Sequence, residues 1–258
     1  MEFLRTNYIN TTTVIGVGSS TSTAKNIFKR DELFQWASFG FNNDLTTASL
    51  TITFPATLPV SRIALINHNI KDYNIFYDGV TANTFSFSTT SSTITSQFTS
   101  NSETSQYFAA STIQALSVTF DFKKTQTANL EKAVGYVLLS DLFVNFERVP
   151  SSKNYKPKID AFDIRHKLSD GGIRIHRISD KFSTTIKFKH ITTTFRDSLK
   201  TAFDLQDEFV FSAFPTATGW DKIMFPVVWD GDFDFFNFSD DAVSAGFGGR
   251  MKLSEVPT

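Results

Sequence analysis

The run Leu116-Ser117-Val118-Thr119-Phe120-Asp121-Phe122 is apolar at every second position. That period belongs to a strand with one face buried, because successive side chains point to opposite sides of a sheet. It recurs at Leu50-Thr51-Ile52-Thr53-Phe54, Thr84-Phe85-Ser86-Phe87-Ser88, Phe162–Leu168, Ile173–Ile178 and Thr184–His190. The 258 residues include 29 Phe and 59 Ser plus Thr. Thr and Phe both suit a pleated surface, so composition and period agree on an all-β protein. A single stretch breaks the rule. Thr192–Thr194 can cap a helix, and Phe195, Leu199, Ala202 and Phe203 recur at helical spacing, which predicts a helix over about 193–206.

Several function classes are excluded at this level. The chain has no cysteine, so it carries no disulfide framework, thiol nucleophile or Cys-ligated metal. Its net charge is −1 with a pI near 6.4, without the basic excess of a nucleic-acid binder. No apolar run is long enough to span a bilayer as a helix, and Met1–Thr6 lacks the basic-then-apolar start of a secretory leader.

Three regions are expected. Residues 1–29 are Thr/Ser-rich, broken by Val14–Gly18, and read as an extended arm able to lie across a neighbouring subunit or as a loose first strand. Residues 30–150 hold a succession of strands, punctuated by a loop at Pro55 and Pro59 and by the turn signal Asp78-Gly79. Pro150–Pro157 is polar and rich in turn formers, which marks a boundary. Residues 151–258 form a second β domain, with a hairpin turn at Ser169–Gly172 and the single helix.

The first β region resembles the galactose-binding-like (discoidin-type) jelly roll. The carriers are Trp36–Gly40, Ala48–Phe54, Ser61–Asn69, Asn74–Gly79 and Gly135–Val144. The order of these strand ends is similar to that in tailed-phage virion proteins. The second region resembles the tail-tube and distal-tail modules of phages, through Leu168–Gly172, the strand–helix run 184–205, Trp229–Phe233 and Gly246–Glu255. The resemblance implies a jelly-roll sandwich followed by a β-sandwich with one helix, in a non-enzymatic virion tail protein. It implies assembly into a ring of copies of the chain, packed on other phage tail proteins, made in the host cytoplasm and localised to the virion. The alternative is a carbohydrate-binding module recognising a host surface glycan.

Charge layout bears on the ring. Residues 153–200 hold 12 Lys/Arg against 5 Asp/Glu, and residues 204–258 hold 3 against 10. A basic face meeting a neighbour's acidic face would be a head-to-tail contact. The candidate interface residues are Arg165, Arg174, Arg177, Lys187, Lys189, Asp230, Asp232 and Asp234. Solvated strand faces would give the same layout, and the acidic block argues against DNA facing the basic one.

Other constellations are weaker. Asp230, Asp232 and Asp234 would share one strand face and could offer oxygens to calcium, but no later Glu completes a loop. Asn67, His68 and Asn69 end a strand and are the candidate glycan-contact loop. His166 and His176 flank the Ser169–Gly172 turn without a zinc spacing. Gly16–Ser20 lacks the Lys-Ser/Thr of a phosphate loop, and Gly246–Gly249 reads as a turn or flexible segment. Trp36, Tyr73, Tyr77 and Trp220 could stack on sugars, though core packing is the default for each. No catalytic residue, cofactor, metal or membrane insertion is expected.

Overall fold

A computed structural model describes residues 1–10, 13–17, 24–28, 35–81, 83–88, 93–95, 97–147, 154–167, 172–214, 224–237 and 246–256. Among these the strands are β1 (Glu2–Arg5), β2 (Val14–Val17), β3 (Trp36–Ala37), β4 (Ala48–His68), β5 (Ile70–Tyr77), β6 (Ser86–Ser88), β7 (Thr93–Thr95), β8 (Gln97–Phe98) and β9 (Gln106–Thr125). They continue as β10 (Ala133–Ser140), β11 (Leu142–Asn145), β12 (Tyr155–Lys167), β13 (Ile173–Ile191), β14 (Phe209–Ser212), β15 (Met224–Trp229), β16 (Asp234–Asn237) and β17 (Phe247–Glu255). The helix α1 spans Thr193–Leu205, between β13 and β14. Among the described residues the protein is all-β apart from α1 and a short 3-10 helix at Ala24–Phe28.

The chain divides into two compact units. The first contains Leu4–Leu142. Its spine is the antiparallel pair β4–β9, whose 21 and 20 residues are long enough to serve two layers. Residues 48–53 of β4 pair with Ser117–Phe122 of β9, residues 50–53 pair with β2 on the other side, and the sheet continues from β9 to β5 and from β5 to β8. Residues 62–68 of β4 pair with β10, which carries β3, while the first half of β9 touches β6 at Phe87–Ala110. The pairing slips between Thr53 and Leu58, where Pro55 has no N–H to give. The expected loop at Pro55 and Pro59 is therefore a bend inside one strand.

The two layers face each other across an aromatic core. Trp36 on β3 meets Phe122 on β9 at 5.6 Å between centroids, and Phe98 on β8 meets Phe108 at 4.6 Å. The alternation predicted this: Leu50, Ile52, Val118, Phe120 and Phe122 are all fully buried. Asp78 and Gly79 both take positive φ (55° and 66°), as their turn signal requires.

The second unit contains Met1–Phe3, Phe143–Phe214 and the described residues from 224 onward. Its sheet runs β11-β1-β14-β15-β17-β13-β12, with β16 also on β17. Helix α1 starts as expected: the Thr192 hydroxyl accepts the Phe195 N–H at 3.1 Å, and Phe195, Leu199 and Ala202 are buried against the sheet core. Phe146 gathers Phe3, Phe188, Phe195 and Phe211 around it. Gly249 is required by close approach. A Cβ there would lie 2.4 Å from the Asp234 carbonyl oxygen, where β16 crosses β17. Gly248 and Gly249 thus belong to a strand, and only Gly246 (φ 72°) has turn geometry.

Two expectations about organisation change. The first 29 residues are not an arm in their described parts. Phe3 is fully buried beside Phe146, Phe209 and Phe211, β2 pairs with β4, and Ile9, Ala24 and Ile27 lie in the sandwich core. A few apolar anchors among many Ser and Thr suffice to build these residues in. The division between units falls at Leu142/Phe143, not near 150, because Phe143, Val144 and Phe146 pack into the second core. The polar segment 148–153 lies outside the described residues.

Candidate interaction surfaces

At one end of the sandwich unit the segments 38–46, 67–71, 99–105 and 126–132 come together. His68 N–H donates to the Thr104 carbonyl (2.8 Å), Gln126 N–H to Asn69 (2.8 Å) and Asp44 N–H to the Asn129 side chain (3.2 Å). The candidate glycan residues sit here: Asn67 is exposed, His68 is buried, and the Asn69 side chain is used internally. Asn69 donates through Nδ2 to the Glu131 carbonyl (2.7 Å) and accepts the Ala133 N–H (2.9 Å). Asn67 takes φ 53°, and its N–H donates to the Ser105 hydroxyl at 3.3 Å.

His68 is buried, and its Nδ1 accepts the Ile70 N–H at 3.1 Å. Burial pushes its pKa down to about 4, a shift that Gln106 partly opposes. Gln106 also accepts the Tyr73 hydroxyl hydrogen. The Asn67-His68-Asn69 turn is a knot that ties strand ends together. What this end exposes is different: Phe39 is 52% accessible and Leu45 98%. Their segment is anchored by Lys132, whose buried side chain donates from Nζ to the carbonyls of Phe41 (3.1 Å) and Asn43 (2.8 Å).

The proposed sugar-stacking aromatics are core residues where described. Trp36 and Tyr73 are fully buried, and Tyr77 packs edge-on against Phe85. Trp220 lies outside the described residues.

In the second unit the outer face of the sheet carries the charged residues. Lys187 and Lys189 on β13 are exposed, and Lys187 stands opposite Arg250 in the register with β17. Arg250 reaches Asp234 (3.3 Å) and Lys252 reaches Asp230 (2.6 Å). Lys252 and Ser254 hold the Asp230 carboxyl below the usual carboxylate range. Asp230, Asp234, Arg250 and Lys252, with Thr185, Gly231, Asp232 and Phe233, line a cavity of about 520 Å³.

The three aspartates do not share a strand face, since Gly231 (φ 105°) keeps Asp230 and Asp232 in a loop and only Asp234 is in β16. Both ion pairs lie within the acidic block 204–258, and β17, which supplies Arg250 and Lys252, lies between β13 and β16. Among the described residues no group of three or more His, Asp or Glu is placed to hold a metal. No described helix is long and apolar enough to cross a membrane.

The remaining candidates lie on a feature that periodicity alone does not reveal. β12 and β13 pair from Tyr155↔Ile186 to Lys167↔Ile173, yet β17 pairs with β13 only from Ser183 onward. Residues 159–167 and 173–182 therefore form a two-stranded ribbon without a third strand among the described residues. Nine residues of strand extend about 30 Å. At its base Ile159 is 66% accessible, and near its tip His166, Lys167 and Arg174 are exposed. Arg165 and Arg177 belong to the ribbon by backbone register, opposite Ile175 and Asp163, and His176 stands opposite Ile164. The turn residues 168–171 lie outside the described residues.

No protein-family model and no curated protein matches the sequence. Solved structures similar to parts of the chain include carbohydrate-binding modules. Chitosan-binding module 1 from the chitosanase/glucanase of Paenibacillus sp. IK-5 is 12% identical, with a TM-score of 0.37, over 50% of this chain and 94% of that one. The family 32 module of C. perfringens NanJ, solved with galactose, is 13% identical, with a TM-score of 0.39, over 53% of this chain and 98% of that one. A pectin-binding module is 13% identical, with a TM-score of 0.34, over 49% and 88%.

Proposed function

We propose that this chain is a non-enzymatic assembly protein of a tailed-phage tail or related particle, and that it joins copies of itself into a ring through its sheet–helix unit. The β12–β13 ribbon carries this reading. A two-stranded ribbon is marginally stable alone in water, and edge strands are templates for pairing with another chain. A ribbon of about 30 Å with exposed Ile159, Lys167 and Arg174 is suited to lie against another subunit. Such a contact is heterologous and closes into a ring when the rotation allows. The placement in a phage tail rests on the resemblance of Trp229–Phe233 and Gly246–Glu255 to tail modules.

The test is to replace residues 160–181 by a two-residue turn and to measure mass by light scattering. The full chain should form a discrete oligomer and the shortened chain a folded monomer. An oligomer of unchanged mass would remove the ribbon from the interface.

One observation favours a second reading, recognition of a glycan by the sandwich unit. Phe39 is half exposed on the 38–46 segment, which is hydrogen-bonded to Asn129 and Lys132, and an exposed aromatic ring is suited to stacking on a sugar face. A glycan array identifies any ligand. Phe39→Ala should then weaken binding about tenfold with unchanged stability, and full retention of binding would place the contact elsewhere.

A further inference from the structure

Beneath the segment that exposes Phe39, on which the second reading rests, the loop end of the sandwich holds a buried positive charge. Lys132 is fully buried at the start of β10. Its backbone is clamped to Ser38 twice: Lys132 N–H donates to the Ser38 hydroxyl (2.9 Å), and Ser38 N–H donates to the Lys132 carbonyl (2.9 Å). Its side chain then reaches the turn beyond, where Nζ donates to the Phe41 and Asn43 carbonyls.

The next residue, Asp44, acts on the ammonium through space and opposes the lowering of its pKa by burial. Asp44 is itself fixed, since its Oδ1 accepts from the Thr125 N–H (3.1 Å) and hydroxyl (3.2 Å). Asn43 Oδ1 accepts from the Leu45 N–H (3.0 Å) and the Thr46 hydroxyl (2.9 Å). The surroundings of the ammonium are therefore two main-chain oxygens and a nearby carboxylate, all on one turn. This is the donor set that suits a hard cation. A buried charge persists only when it is paired and hydrogen-bonded.

We infer that residues 41–44 form a cation site filled by the chain's own ammonium, and that Lys132 is the positioning residue that sets the turn presenting Phe39 and Leu45. A free primary ammonium ion is the ligand class such a site accepts once the lysine side chain is removed. Charge and N–H donors are both required, and the aliphatic stem alone does not suffice.

The test uses the full chain with Lys132→Ala and Lys132→Met, read by thermal unfolding and by amide hydrogen exchange across 39–46. Both variants should lose about 5–10 °C in the melting temperature of the sandwich unit. Both should exchange the 39–46 amides at least tenfold faster. Propylammonium chloride, which supplies the missing carbons and the charged donor, should restore protection in Lys132→Ala. Tetramethylammonium chloride at the same concentration has the charge without donors and should not. Should Lys132→Ala fail to fold, Lys132→Met decides, because it keeps the buried volume. Wild-type melting and exchange in Lys132→Met, or equal effects of the two ammonium salts, would overturn the inference.

Discussion

The loop end of the sandwich and the ribbon of the sheet–helix unit are both rich in polar residues, yet they use them in opposite ways. At the loop end Asn69, His68, Asp44 and Lys132 bond to backbone groups of adjacent segments. At the ribbon the backbone of β12 pairs with β13 alone among the described residues. Polar composition therefore does not distinguish a recognition surface from a structural knot. The distinction lies in how many neighbouring segments each region's backbone pairs with.

Shortening the ribbon is the strongest way to break this comparison, because it should abolish assembly while leaving both cores intact. Phe3→Ala comes next. If the N-terminal segment were only an arm across a neighbour, the change would lower assembly and spare stability. With Phe3 buried against Phe146, Phe209 and Phe211, it should cost about 4 kcal/mol in chemical denaturation.

His68 sharpens the comparison from the sandwich side. Its folded pKa of about 4 lies below the ordinary histidine value of 6.5. The unfolded chain therefore binds a proton first, and stability is full above pH 6.5 and falls as the pH drops towards 4. The loss should reach about 3 kcal/mol. It is measured by urea midpoints across pH 4–7 in His68→Gln and wild type, and the variant should lack this slope. A slope of the same size in His68→Gln would assign the effect to carboxylates. The smallest effect on stability is that of Phe39→Ala, whose ring is half exposed.

The fold class was largely legible because the two-residue period is local. Leu50, Ile52, Val118 and Phe120 announced their burial, and Thr192 with Phe195 and Leu199 announced the helix. The charged face was legible only as a list of residues. Asp230 and Lys252 are 22 positions apart, and their pairing depends on β15 lying beside β17. The ribbon was legible as two alternating strands around a turn, while the lack of a third strand among the described residues is a property of where β17 stops pairing. Lys132 left no trace, since a lysine in Asn129-Leu130-Glu131-Lys132 reads as solvated until the 38–46 turn is seen to wrap it. The N-terminal segment misled because counting Ser and Thr hid Phe3, Ile9 and Ile27.

The central claim is that the ribbon joins subunits, and light scattering of the full chain beside the 160–181 replacement tests it most directly. The account requires a discrete oligomer that becomes a folded monomer when the ribbon is removed. A full chain that stays monomeric at every concentration and salt, or a replacement that keeps the oligomer's mass, would contradict it.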